Sequence, residues 1–300
     1  MSLRLCAMHG LPHNGKGLTG RGWLENASEL GDQPHPSPTL PRMQPLRLFF
    51  TALQFLTRLP IPRWVGFEPD WLARCAPYFV PVGALVGVLG GAVLWGAAQL
   101  WPPVIAVLLA MAAGIYITGG FHEDGLADTC DGLGGAVSRD KALLIMKDSR
   151  LGSYGALGLV LVLALKAAAL WTLAQASPWV AALALAWAQG ISRALPVALM
   201  AALPYAGDLE HAKAKPLASG GGTGGLALTA AFALMLCAAA AALRPALLPA
   251  MAVGLLACAA VGLWMARWLR RRLGGYTGDT LGATQQFGEV ALLLGLLAWR

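Results

Sequence analysis

An all-α, polytopic membrane helix bundle is the fold class this sequence predicts. Its 300 residues are 57% hydrophobic and only 12% charged, whereas a soluble domain has about 25% charged residues. Mean hydropathy is +0.61. Apolar runs recur along the chain, most of them near the ~20 residues that a crossing helix needs.

In chain order, residues 1–42 are rich in Pro, Gly, His and polar side chains and hold no apolar run long enough for a signal-peptide core. They read as a disordered extension or a start assigned too early, with the membrane domain at 43–300. Segment 46–59 is amphipathic and bounded by Pro60 and Pro62, so it is expected to lie in the interface or to re-enter. Runs 78–100, 103–120, 154–176, 179–204, 224–243, 246–268 and 287–299 give six to seven transmembrane helices, the last being short.

The connections alternate in character. Trp101-Pro102, Ser177-Pro178 and Arg244-Pro245 are minimal, whereas 121–153, 205–223 and 269–286 are long and polar. Successive connections alternate sides, so the three long ones share a face. That face carries Arg63, Arg74, Arg139, Lys141, Lys147, Arg150, Lys213, Lys215, Arg267, Arg270, Arg271 and Arg272, against Arg244 and Arg300 opposite. The positive-inside rule places the long connections in the cytoplasm. The net charge of +7 is therefore read as membrane topology, not as nucleic-acid binding. The five cysteines form no CxxC pair, which argues against a disulfide framework or a zinc site. Gly-rich stretches such as Val82–Gly87 read as helix-packing surfaces, and Gly220–Gly225 as a hinge.

Chemistry concentrates after the second span, in Gly-Gly-Phe-His-Glu-Asp-Gly-Leu-Ala-Asp-Thr-Cys-Asp-Gly at 119–132. Asp124, Asp128 and Asp131 stand at i, i+4 and i+7, one helical face, with Glu123 as a fourth acid and no Lys or Arg within the run. Carboxylates at that spacing repel one another, and Mg²⁺, which prefers oxygen ligands completed by substrate phosphates, relieves the repulsion. Asp124, Asp128 and Asp131 are the expected metal ligands. A solvated, helix-capping acidic face is the plainer alternative.

Downstream, residues 139–152 read as a short amphipathic helix ending at Gly152. On it, Lys147 and Arg150 suit phosphate oxygens and Asp148 a metal or a proton; membrane-surface anchoring explains the two cations equally well. Asp279 lies in the glycine-studded run 274–283, followed by Gln285, Gln286 and Glu289, on the same predicted face as Asp124. Lys166 and Arg193 fall within spans, where charge defaults to a functional reading. Lys166 could snorkel, and Arg193 could pair with an acid or bind a phosphate.

Four motifs in order give the chain a specific resemblance: Phe55–Pro62 (Phe-Leu-Thr-Arg-Leu-Pro-Ile-Pro), Gly119–Gly132, Ile145–Gly152 with Ser192-Arg193, and Thr277–Gly282. From about residue 43 onward the chain resembles the cobalamin synthase family, the adenosylcobinamide-GDP ribazoletransferases. Residues 1–42 have no counterpart in that pattern, and 205–223 differs from it in detail. The resemblance implies a Mg²⁺-dependent enzyme of the bacterial inner membrane, multi-pass, with its site facing the cytoplasm. It would transfer the phosphocobinamide group of adenosylcobinamide-GDP to α-ribazole or its 5′-phosphate and release GMP. Partners implied are these substrates, membrane lipid and other cobalamin-assembly enzymes. Asp124, Asp128 and Asp131 would hold Mg²⁺ on the diphosphate, and Glu123 or Asp148 would accept the nucleophile's proton. Lys147, Arg150 and Arg193 would bind the phosphates, with Asp279 beside them.

Two rivals remain at this level. A CDP-alcohol phosphotransferase also gathers aspartates around Mg²⁺ on membrane helices. Its Asp-Gly-x-x-Ala-Arg motif fails here, where Asp128 follows Asp124-Gly-Leu-Ala, and the second half of its pattern is missing. A transporter would place carboxylates along mid-span, whereas here the acids gather at one mouth and the mid-span charges are cations.

Overall fold

The computed structural model describes residues 43–66, 68, 70–135, 138–207 and 223–299. The expectation for 1–42, and Lys213 and Lys215 with it, lies outside the described residues. By contact clustering the chain divides after Gln44, and Pro45–Arg300 is the unit considered below.

Apolar composition and length make the helices. They are α1 Gln44–Leu56 and α2 Trp71–Arg74, α3 Phe79–Ala97 and α4 Pro103–Thr118, α5 Phe121–Gly135 and α6 Arg139–Met146. Then follow α7 Ser153–Ala176, α8 Pro178–Ser192 and α9 Ala194–Ala202, and α10 Thr223–Leu243, α11 Leu248–Leu273 and α12 Gly278–Ala298. Among the described residues six segments are long and apolar enough to cross a membrane, or seven if α4 and α5, bent by 89°, form one broken span. Large apolar side chains such as Leu161, Leu234, Met235 and Leu256 stand outward and exposed, an arrangement suited to lipid and unfavourable in water.

The structure refines several of these expectations. Span 179–204 stands as one crossing segment, Pro178–Ala202, within which the helix is broken at Arg193 into α8 and α9, because Pro196 has no N–H to return to the Ser192 carbonyl. The polar connection expected over 121–153 is largely helical, and its second helix stops at Met146 rather than Gly152. The last span is not confined to 287–299 but begins at Gly278. Its polar half is helical because Thr280, Thr284, Gln285, Gln286 and Glu289 are buried in protein rather than exposed to water or lipid. The hinge read at 220–225 is already helix from Thr223, and its first residues lie outside the described ones.

The described parts of the long connections meet at one end of the bundle, as the alternation of connections anticipated. Tyr205 bridges Tyr276, with Ala206 N donating to Tyr276 O at 2.8 Å and Tyr276 N to Pro204 O at 3.0 Å. Arg139 ties the same end from α6, its guanidinium donating to Leu273 O at 2.8 Å and Ala206 O at 3.0 Å. Those carbonyls close α11 and the 203–207 turn, so Arg139 caps backbone as well as adding positive charge.

Packing follows the small residues. Gly87 and Gly91 of α3 admit α8 so closely that a Cβ would stand 2.6 Å from Ala186 Cα and 2.9 Å from Ala182 O respectively. At the centre, α12 touches α5, α7, α8, α9 and α11. Its Glu289 is fully buried and receives Lys166 Nζ of α7 at 2.6 Å, Gln189 Nε2 of α8 at 2.9 Å and Gln285 Nε2 at 3.0 Å. Lys166 therefore does not snorkel; it is 4% exposed and ion-paired.

Removing one partner of a buried pair strands the other charge, at about 3–5 kcal/mol. Glu289→Ala is expected to lower the unfolding midpoint of the detergent-solubilised chain steeply. The double replacement Lys166→Met, Glu289→Met should retain much more of it, as thermal melts of the three proteins would show.

Candidate active site

α4 ends in Gly119 and Gly120, both at φ 71°, a conformation that side chains bearing a Cβ rarely take. The chain turns there by 89° and restarts as α5. The acidic run is thus a helix set nearly at right angles to α4. Gly125 then lets α5 meet the N-terminus of α12 backbone to backbone: a Cβ there would stand 2.7 Å from Asp279 O. Gly282 reciprocates, 3.3 Å from His122 O by the same construction. This crossing brings Asp279, in the first turn of α12 between the capping-box residues Thr277 and Thr280, into the field of the α5 carboxylates.

Asp128 shows the result. Burial pushes its carboxyl up to about 7, assisted by the negative charges of Asp279, Asp124 and Asp131 in that order. Among the described residues no salt bridge reaches Asp124 or Asp128. Asp131 behaves differently. Its Oδ2 accepts Gly152 N at 2.7 Å and its Oδ1 accepts Gly155 N at 2.8 Å. It sits on the N-terminus of α7, where unpaired N–H groups and the helix dipole favour an anion. The three aspartates share a helix face as read from their spacing, but one of them is engaged by backbone, and Asp279 faces Asp128 from another helix.

The Asp131 contact also fastens the 147–152 segment to α5. On that segment Lys147 is exposed at the end of α6, and Arg150 Nε reaches both oxygens of Asp148 at 3.0 Å. The Arg150 hydrogen bonds hold the Asp148 carboxyl below its ordinary range, so it is a weak proton acceptor at neutral pH.

Behind the acids lies a polar interior. Glu123 Oε1 accepts Gln286 Nε2 at 3.0 Å, while its buried Oε2 has no partner among the described residues. Arg193 is 2% exposed and donates through Nη1 to Gln189 O and Oε1, both at 2.6 Å. Gly83 of α3 leaves the space its side chain fills. Arg193 stands in the fields of Glu289 and Glu123, away from the exposed Arg150. A cavity lined by His122, Glu123, Lys166, Gln189, Arg193 and Gln286 joins these groups beneath α5. Gln189 and Gln286 were missed as site residues. Their signal was amide side chains in otherwise apolar helices, where only an internal partner justifies them.

Among the described residues no three His, Cys, Asp or Glu side chains stand close enough to hold a metal ion unaided. The donor set nevertheless fits a hard cation: neighbouring carboxylates, with Asp128 pushed up to about 7 by burial and by the other acids.

Comparison with known proteins agrees with the motif pattern. The family described as cobalamin-5-phosphate synthase matches residues 48–297. An adenosylcobinamide-GDP ribazoletransferase of Leptothrix cholodnii is 58% identical over 257 residues, 84% of this chain and 95% of that protein. Proteins of the same name from Shewanella piezotolerans and Shewanella frigidimarina are 44% and 42% identical, each over 85% of this chain and 96% of their own length. No solved structure matches.

In metal-free protein Asp128 should titrate near 7. Removing the Asp279 charge takes away a cause of the upward shift, so Asp279→Asn should move that titration to lower pH. Infrared spectra would follow the protonated-carboxyl band, identified by its loss in Asp128→Asn.

Proposed function

The chain belongs to the cobalamin-5-phosphate synthase family, and from that premise we infer how its residues serve the ribazoletransferase step. The ribose hydroxyl of α-ribazole, or of its 5′-phosphate, attacks the cobinamide-side phosphorus of adenosylcobinamide-GDP. A new phosphorus–oxygen bond forms, the bond to GMP breaks, the hydroxyl proton passes to a base, and the nucleotide loop of cobalamin is closed. The observation that carries the residue assignment is Asp128, hemmed in by the charges of Asp279, Asp124 and Asp131. Phosphoryl transfer relies on neutralising and positioning charge more than on covalent help from protein.

The cation proposed for this site is Mg²⁺, held by Asp124, Asp128 and Asp279. Asp131, already accepting two N–H bonds, adds charge and anchors the 147–152 segment. When bound, the ion would neutralise the diphosphate and the developing charge on the leaving phosphate. Glu123 is the proposed proton acceptor: Gln286 holds one oxygen and leaves the other without a protein partner. Asp148 is the weaker choice, since Arg150 lowers its basicity. Lys147 and Arg150 sit on the segment fastened to α5 and supply charge for phosphate oxygens. Arg193 acts from inside, steadying Glu123 electrostatically. The membrane is proposed to be the bacterial inner membrane with the acids on its cytoplasmic side. The supports are the excess of Lys and Arg in the long connections and their meeting at one end of the bundle.

Purified full-length chain should release GMP from adenosylcobinamide-GDP only with α-ribazole and Mg²⁺ present. Asp124→Asn should abolish that release without altering membrane insertion; surviving turnover would overturn the metal assignment. Glu123→Gln should lower kcat by roughly 10²- to 10⁴-fold, the range of a lost acid–base group, and Asp148→Asn far less. At limiting Mg²⁺ the rate should climb as pH passes about 7, where Asp128 loses its proton. Excess Mg²⁺ should move that limb to lower pH, because ion and proton compete for one carboxylate.

A further inference from the structure

The motif Phe55–Pro62 has so far been given no role, and its contacts supply one. Leu59 and Ile61 each precede a proline, which biases them to extended backbone. Residues 57–62 accordingly leave α1 without helical structure. Thr57 closes α1, its Oγ1 donating to Leu53 O at 2.7 Å and accepting Leu59 N at 3.2 Å. The strap then runs to the break between α4 and α5.

That break exposes carbonyls that an unbroken helix would satisfy. Gly120 N serves Ile115 O at 2.9 Å and Gly119 N serves Tyr116 O at 3.3 Å. Ile117 O and Gly119 O are left over, and Arg58 takes both. Its main-chain N–H donates to Ile117 O at 2.7 Å and its Nη2 to Gly119 O at 3.5 Å. The guanidinium lies so close over Gly119 that a Cβ there would stand 2.5 Å from Arg58 Nε. A cation at the C-terminal end of α4 is also favoured by the helix dipole. Just before the strap, Phe55 meets Phe121, the first residue of α5, edge to face at 5.5 Å, and Phe79 of α3 at 5.9 Å.

We propose that Arg58 is a positioning residue for the reaction. It fixes the angle at which the carboxylate helix leaves α4, and through that angle the placement of Glu123 and Asp124. Two consecutive glycines at positive φ hold no angle by themselves; the strap supplies the constraint from outside. The inference rests on the reading of those acids as catalytic groups. An arginine serving only as a lipid anchor would extend toward the headgroups, whereas this one directs backbone and side chain alike at the helix break.

The test uses full-length chain in detergent, with Arg58→Ala and Arg58→Lys beside Asp124→Asn. Both Arg58 variants should insert and melt within a few degrees of the parent. In Arg58→Ala, kcat should fall by roughly 10- to 100-fold, the scale of a misplaced reacting group, with KM nearly unchanged. The Mg²⁺ needed for half-maximal rate should rise, and amide hydrogen exchange should quicken at Phe121–Asp124. Arg58→Lys should recover part of the rate, since an ammonium can still reach Gly119 O. Unchanged kcat and unchanged exchange in Arg58→Ala would overturn the proposal, as would losses that simply follow a collapse in melting temperature. Turnover by Asp124→Asn would instead defeat the metal reading, and the exchange measurement would still decide the role of Arg58.

Discussion

One buried ion pair sets the register of the bundle. Lys166 and Glu289 meet at 2.6 Å with side chains 5% and 0% exposed, and neither charge is tolerable there without the other. Gln189 and Gln285 fill further positions on the Glu289 carboxylate, and Gln285 also reaches Ser192 Oγ at 2.9 Å. A slip of α12 by one turn would separate a charge from its partner at once. α7, α8 and α12 therefore have one arrangement available. Three positions toward the N-terminus of Glu289, Gln286 holds Glu123, and at the start of the same helix Asp279 approaches Asp128. The interior salt bridge thus fixes the height at which the mouth carboxylates meet.

Interior and mouth treat charge in opposite ways. Inside, each ionised group has a nearby counterpart: Lys166 with Glu289, and Arg193 between Glu289 and Glu123. At the mouth, burial and then the charges of Asp279, Asp124 and Asp131 push the Asp128 carboxyl up to about 7. Asp131 is relieved by the N-terminus of α7. A carboxylate-rich mouth next to a compensated interior is the setting in which the proposed cation would neutralise charge.

The sequence made the apolar spans legible because lipid demands length and hydropathy of each helix separately. It made the shared end of the long connections legible through their alternation with minimal ones. It could not reveal the start of α12, since Thr280 through Glu289 look like a polar loop until other helices surround them. The interruption at Arg193 was likewise hidden, because its driver, Pro196, is often accommodated within membrane helices. The i, i+4, i+7 spacing correctly put Asp124, Asp128 and Asp131 on one helix. Which of them faces a partner depended on Gly152 and Gly155, brought near by folding of α6 and α7. Asp279 could be placed on the right side but not beside Asp128, because that neighbourhood rests on the Gly125 crossing, a contact between helices 154 residues apart in numbering.

The bend after α4 explains why the acids serve a site at all. Were α4 to continue straight, Asp131 would stand about 18 Å beyond Gly119 at ~1.5 Å per residue. The carboxylates would then point along a rod into solvent, far from α12 and fully screened by water. Turning by 89° at Gly119 and Gly120 instead lays the same residues over the bundle end. There Gly125 meets Asp279 and Asp131 meets the α7 N-terminus. Partial burial is the consequence: Asp128 loses enough water for its charge interactions to matter, while Asp124 stays exposed to an incoming substrate. The geometry of the break, rather than the number of acids, is what gathers this helix, the start of α12 and the N-terminus of α7 at the place proposed for phosphate chemistry.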